Sequence, residues 1–426
     1  MRIWHPYTQE ALDPEPIEIE RAEGVYLYTK DGRRLLDAIS SWWVNLHGHA
    51  HPRIAAAVAE QAQKLEHVIF AGFTHEPAEE LARQLSQVLP AGLTRLFYSD
   101  NGSTAVEVAL KMAIQFWRNS GKSAKRRIVA LEHAYHGDTA GAMSVSDDSP
   151  FTDAFDSLRV PALRAHSAYC YRCPVSLTRA TCAIECVQKL EQVLRDHQDE
   201  IAAVIVEPLL QGAGGMIVHP VEFLQHVRRL CTEYNVLLIV DEVFTGFGRT
   251  GRMFACESAG VVPEILCLSK GLTAGFLPLA VTVATEQIYR AFHVPDRGRA
   301  FFHGHSYSGN PLGCVAAIAN LEIFQTEPVF ERIRVIEGIH RERLRQFATH
   351  PRVGDTRMIG TVAAMELKAD TAGYLSGLRE RLYGFFIERG VLLRPLGNVI
   401  YVVPPYVIQP DELHHVYDII AAALEI

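Results

Sequence analysis

Hydrophobic and polar positions along this 426-residue chain fall into two rhythms. Apolar runs rich in Leu, Ile and Val recur at 95–99, 127–131, 202–208, 236–242, 265–269 and 279–284, and stretches with helical spacing separate most of them. Unbroken aliphatic runs read as strands buried on both faces, and their alternation with helices predicts a parallel sheet covered on both sides. Ahead of them, GVYLYTKDGRRLLDA (24–38) sets two arms around Asp31-Gly32 and predicts a hairpin. From Pro311 a long helical pattern leads into a mixed region ending VLLRPLGNVIYVVPPY, and an amphipathic helix is expected from Asp411.

The fold class this predicts is α/β: a large domain over 49–312, with a mostly parallel sheet between helices, and a smaller α+β domain. The smaller domain draws on an N-terminal segment, 1–48, and on 313–426. Two domains suit the length, because single cores stop growing at roughly 250–300 residues. A composition that is 48% hydrophobic supplies the core, and a net charge of −8 argues against nucleic acid or an anionic membrane as partner. Small molecules are the expected partners. The N-terminus MRIWHPYTQ has no apolar stretch after its arginine, and no run reaches the length of about 18 residues that spans a bilayer, so a cytoplasmic protein is expected.

Chemistry collects where the apolar runs end. Asp241 closes LLIVD and Lys270 follows ILCLS, and ligands in open α/β sheets sit at such strand ends. An amine and a carboxylate so placed are what pyridoxal phosphate needs: a lysine for its aldehyde, and an acid to keep its ring nitrogen protonated. Taken singly, each residue reads first as a satisfied core Asp or a surface Lys, and it is the pair that changes the balance. In YSDNGSTAVEVALKMAIQFW, helical apolar spacing begins at Ala105, which places Gly102, Ser103 and Thr104 at a helix N-terminus. Backbone N–H groups there receive phosphate, although Ser103 could simply cap the helix. Tyr135 and His136 follow RIVAL, where a flat side chain can stack on a ring. Glu207 closes AAVIVEP, either to meet a polar ring substituent or as a structural carboxylate.

Other patterns are set aside. GFGRTG matches the dinucleotide glycine spacing, but Glu242 to Thr245 separate it from the strand and no helix opens after it. His47, His49 and His51, and His303 with His305, read as loop residues rather than chelates, and no metal is assigned. Cys170, Cys173, Cys182 and Cys186 cluster in a polar loop and are read as reduced thiols, with a tetrahedral zinc site as the alternative.

Taken together, DEVFTGFGRTG, the Lys270 segment, DNGSTAVEVALK, AYHGDT and HGHSYSGNP resemble the class III, fold-type I pyridoxal phosphate aminotransferases over nearly the whole chain. The resemblance implies that Lys270 is the Schiff-base lysine and that Asp241 partners the pyridine nitrogen. It further implies that Gly102 and Ser103 hold the phosphate, that Tyr135 stacks on the ring, and that Glu207 and His305 belong to the cofactor site. Ser306 is to complete that site from the second subunit of a homodimer; His305 stands where many members carry proline. Within the class, WHPYTQ, SSWWVNLHGH and RPLGNVIYVVPPY resemble the branch that aminates 8-amino-7-oxononanoate with S-adenosyl-L-methionine in biotin biosynthesis. That likeness implies substrate contacts from Tyr7, Trp42, Trp43, Tyr135, Lys270, Gly304, Arg394 and Tyr401. The residue types suit it: aromatic faces for adenine and a sulfonium, and an arginine fork for a carboxylate. Enzymes that take lysine or another ω-amine as donor share much of the scaffold.

Overall fold

Every apolar run expected to be a strand is one, and all of them lie in a single seven-stranded sheet. The structure, a computed structural model, describes residues 3–369 and 377–425. Arg2 and parts of the expected small domain, 370–376 and 426, lie outside the described residues. In chain order, β1 (Ile19–Glu23), β2 (Tyr26–Thr29) and β3 (Arg34–Asp37) form an antiparallel ladder, and the predicted hairpin joins its last two strands. Then come β4 (Leu93–Ser99), β5 (Arg127–Leu131), β6 (Leu163–Ala165) and β7 (Ile201–Val206). A short ribbon, β8 (Leu210–Gln211) and β9 (Ile217–Val218), precedes β10 (Leu237–Asp241), β11 (Ile265–Leu268) and β12 (Ala280–Thr285). The chain finishes with β13 (Val353–Ile359), β14 (Val362–Leu367), β15 (Val391–Leu392) and β16 (Val399–Val402).

The large sheet runs β4-β12-β11-β10-β7-β5-β6. Pairing is parallel from β11 through β6, whereas β12 is antiparallel to both β11 and β4. One antiparallel strand in an otherwise parallel order agrees with the mostly parallel sheet expected. The reason for its direction is connection length: β11 and β12 are joined by residues 269–279 with only a 3-10 turn among them, too little chain for a crossover helix. Successive strand residues point to opposite faces and feed two cores. Val204, Leu238 and Leu266 belong to one; Ile205, Ile239 and Ile265 belong to the other, against the helix Gly102–Asn119.

Sheets from the two chain ends interlock. β15 pairs in parallel with β3, Val391 opposite Leu36, so the N-terminal ladder and the C-terminal region share one sheet, while β13, β14 and β16 form another. Backbone bonds tie the two regions together, Tyr406 N–H to Leu46 O at 2.6 Å and Val403 N–H to Ala38 O at 2.8 Å, and Trp42, Trp43 and Tyr401 from them face the same cavity as Asp241. Among the described residues no helix is long and apolar enough to cross a membrane.

Candidate active site

A cavity of about 720 Å³ opens at the C-terminal ends of the parallel strands. Asp241 is the last residue of β10, and Lys270 begins the 3-10 turn Lys270–Thr273 just beyond β11. Both line the cavity, with Tyr7, Trp42, Trp43, Gly102, Ser103, Tyr135, Glu207, Arg394 and Tyr401. The Lys270 backbone is left-handed, φ 45°. Its amine lies 4.6 Å from the centre of the Trp43 ring and 5.5 Å from that of Phe244. Loss of water around that amine lowers its pKa to about 8, against the opposing pull of the Asp241 and Glu207 carboxylates.

Asp241 has a partner that the sequence did not assign: His136 Nδ1 lies 2.7 Å from its Oδ2, with the imidazole side chain fully buried. Asp241 Oδ1 accepts the Val243 N–H at 3.0 Å, so both carboxylate oxygens are held. Glu207 lies at the cavity wall with both oxygens engaged, Oε1 by the Tyr135 N–H at 3.0 Å and Oε2 by the Gly212 N–H at 2.9 Å. It therefore ties two loops together and sets the Tyr135 backbone. Burial, with the Asp241 charge adding, raises its carboxyl to about 7.

The helix Gly102–Asn119 is capped by Asn101 rather than Ser103: Asn101 Oδ1 accepts the Thr104 N–H, and Thr104 Oγ1 accepts the Asn101 N–H, both at 3.0 Å. That division leaves Gly102 and Ser103 without intrahelical partners for their N–H groups, on the cavity side. Ser103 Oγ accepts the Asp138 N–H at 3.3 Å. Gly137 makes this approach possible, since at its φ of 128° a Cβ would stand 2.0 Å from Ser103 Oγ. An anion cradle results, made of one helix start and a facing loop.

The rim comes from both ends of the chain. Ser40–Trp43 form one helical turn whose four residues are all left-handed, φ 52°, 43°, 70° and 72°, with no glycine among them. Such backbone costs roughly 1–2 kcal/mol per residue, so the surroundings must hold it. Ser40 Oγ donates to Val403 O at 2.7 Å, and Ser41 Oγ to Asp37 Oδ2 at 2.8 Å. Arg249, from the GFGRTG loop and wholly buried, donates to Trp43 O, Asn45 O and Pro404 O at 3.2, 2.8 and 2.9 Å. Its role is structural and went unread in the sequence. The turn buries Trp43 against Phe244 and Tyr401 and leaves Trp42 half exposed, edge-on to Tyr7 at 5.3 Å. The Arg394 guanidinium lies 5.4 Å over the Trp42 ring, and the Tyr7 hydroxyl donates to Asp138.

Gly304, His305 and Ser306 do not line this cavity of their own chain; His305 Nδ1 stands 3.4 Å from Oδ2 of Asp100, which does. The histidine runs disperse to separate partners: His47 to Asn320, His49 to Asp37, His51 to Glu327 and His303 to Lys111. Among the described residues no three His, Cys, Asp or Glu side chains stand assembled as a metal site. No helix longer than Ala255–Ser258 follows GFGRTG before β11, and no dinucleotide fold forms there.

A strand-end carboxylate, a lysine and an anion cradle around one cavity define a pyridoxal phosphate type of site, and the chain belongs to the class III aminotransferases: residues 7–424 match that family, Aminotransferase class-III. Among its relatives, the adenosylmethionine-8-amino-7-oxononanoate aminotransferase of Synechococcus elongatus is 49% identical, covering 99% of this chain and 98% of its own. The enzyme of that name from Geobacter sulfurreducens is 44% identical over 98% of this chain and 94% of its own. The crystal structure of the Methanocaldococcus jannaschii enzyme of that name superposes with a TM-score of 0.92 at 38% identity, covering 99% and 96%. An amine transaminase from an uncultivated Pseudomonas species, in its PLP-bound form, superposes at 0.94 and 32% identity, covering 100% and 98%.

Pyridoxal phosphate fits the residues present. The cradle accepts a phosphate dianion, and the Lys270 amine, lowered toward neutrality, is available to an aldehyde. His136 Nε2 and Trp43 Nε1 are buried without hydrogen-bond partners, polar atoms left over by the protein alone.

Proposed function

We propose that this aminotransferase moves the amino group of S-adenosyl-L-methionine onto the ketone of 8-amino-7-oxononanoate, forming 7,8-diaminononanoate for biotin biosynthesis, with pyridoxal 5'-phosphate as its cofactor. The observation that carries the reading is the joining, in one cavity, of the Lys270 and Asp241 end to a rim of Tyr7, Trp42 and Arg394. The relatives that bear this activity in their names span nearly the full chain.

Bound there, pyridoxal phosphate supplies an electron sink for the carbon that gives up its proton. Gly102 and Ser103 hold the phosphate through their N–H groups and the Ser103 hydroxyl. Tyr135, in the cavity wall, would lie along the ring face. Asp241, held by His136, keeps a proton on the ring nitrogen. Lys270 Nζ would anchor the aldehyde, and it is the group placed to move the donor's Cα proton. The two substrates then follow one another through the same cavity, ping-pong. Tyr7 and Trp42 offer aromatic faces to a flat base and a sulfonium; Tyr401 and Trp43 form an apolar wall; Arg394 meets the acceptor's distal carboxylate.

In the same reading the enzyme is a cytoplasmic homodimer. Gly304, His305 and Ser306 line none of their own chain's cavity and sit between exposed Phe302 and Tyr307, which supports delivery of the partner's Ser306 to the phosphate. A lysine or other ω-amine donor is the second reading, favoured by the superposition with amine and omega transaminases at TM-scores of 0.93 to 0.94. The test is mass spectrometry of the diamine after incubating holoenzyme and keto acid with either donor. Product with adenosylmethionine alone is expected; product with lysine alone would overturn the donor and leave the transamination standing.

A further inference from the structure

A second cavity, of about 20 Å³, lies far along the chain from the residues used above, and Cys170, Cys173, Cys182 and Cys186 all line it. Its volume is that of one small ion or water molecule. The four sulfurs come from one segment, between β6 and the turn Glu185–Val187, which has neither strand nor helix of its own over 166–184. Loops of that length without regular structure are uncommon in compact domains unless something organises them.

What the protein supplies is anchoring at the margins. Arg172 pairs with Glu366, and Arg179 pairs with Glu222 at 2.8 Å. Inside, Ala168, Tyr169, Pro174, Leu177, Ile184 and Pro220 line the hollow beside the cysteines. All four thiols line that hollow. The spacing is a pair with two residues between, then a pair with three, separated by eight. Two close pairs approaching from opposite sides are the usual way for a loop to present four sulfurs to a tetrahedral centre.

The charge around the hollow is also matched. A dication with four thiolates carries two negative charges, and Arg179 lines the hollow. Pro220 immediately precedes the helix Val221–Glu233, so the positive end of that helix dipole lies alongside. The thiols lining the hollow do not yet stand assembled around one centre, so ligation requires them to close on it, which couples metal uptake to local folding.

We propose that Cys170, Cys173, Cys182 and Cys186 bind one zinc ion as a structural tetrathiolate site that folds this loop. The site is independent of the amino donor and of the cofactor. The experiment uses untagged full-length holoenzyme purified under reducing conditions without chelator, with elemental analysis and native mass spectrometry of the wild type, Cys173→Ser, Cys182→Ser and, as a control, Cys314→Ser. About one zinc per chain is expected in the wild type and the control, with loss in both loop variants. Chelation is expected to expose four additional thiols to a thiol reagent while the cofactor's visible absorbance persists. A chain that stays metal-free after reconstitution with zinc, zinc retained in both loop variants, or a mass showing two loop disulfides in the reduced preparation would each overturn the proposal. Should a loop variant fail to fold, cobalt(II) titration of the metal-stripped wild type decides: tetrahedral thiolate bands support the site, and their absence rejects it.

Discussion

At the scale of single residues, the Glu207 carboxyl and the Lys270 amine share a poorly hydrated space that pushes them in opposite directions. Lys270 falls to about 8 because its charged form loses water, and Glu207 rises to about 7 for the same reason. For Lys270 the sign is plain: its amine becomes a free base as pH rises through about 8, well below the usual lysine value. Uptake of pyridoxal phosphate by the cofactor-free enzyme is therefore expected to accelerate with a midpoint near that pH, followed by stopped-flow absorbance; a midpoint at the ordinary lysine value would refute the assignment. The Asp241–His136 pair supports a second expectation. Asp241→Asn slows the first half-reaction on the order of a hundredfold or more while changing cofactor affinity far less. His136→Phe removes a hydrogen bond to a charged group, worth roughly 1.5–3 kcal/mol, and should slow the same step about tenfold to a hundredfold. Equal losses in rate and affinity would assign both residues to cofactor binding alone.

At the scale of elements, the parallel strands were legible because sheets covered on both faces leave unbroken aliphatic runs, and Asp241 and Lys270 stood out as polar residues closing such runs. The direction of β12 was not legible, since it depends on how little chain joins it to β11. The pairing of His136 with Asp241 joins positions 105 apart and has no local signature. Nor does the left-handed turn at Ser40–Trp43, which lacks the glycine that would announce it; its conformation is held by Arg249 and by Val403, just past β16. Arg249→Lys keeps the charge but loses the planar fork that reaches three carbonyls. A loss of roughly 1–3 kcal/mol is expected from buried groups left unpaired. Chemical denaturation measures it, and an unchanged midpoint would mean that the turn holds itself.

At the scale of the whole molecule, the cofactor end of the cavity belongs to the large sheet, and the rim belongs to segments from both chain termini. The proposed dimer adds a third source. Chains carrying Lys270→Ala, mixed and re-assembled with chains carrying Ser306→Ala, form hybrids in which one site keeps both native residues only if Ser306 serves the partner. Activity at limiting cofactor is then expected to exceed that of either parent. No recovery on mixing, with hybrids verified by native mass spectrometry, would place Ser306 within its own chain's site.

The strained turn under the rim has a bearing on how such a catalyst changes. Widening a binding pocket by removing a large side chain ordinarily weakens a protein, because a cavity replaces packed atoms. Trp42 is an exception in the making: it is half exposed, and its backbone sits where only glycine is at ease. Trp42→Gly should leave the melting temperature unchanged or raised while admitting bulkier amines, read by calorimetry and by a panel of donors. New substrate ranges are thus reachable at this position by single steps that natural selection has no stability reason to reject.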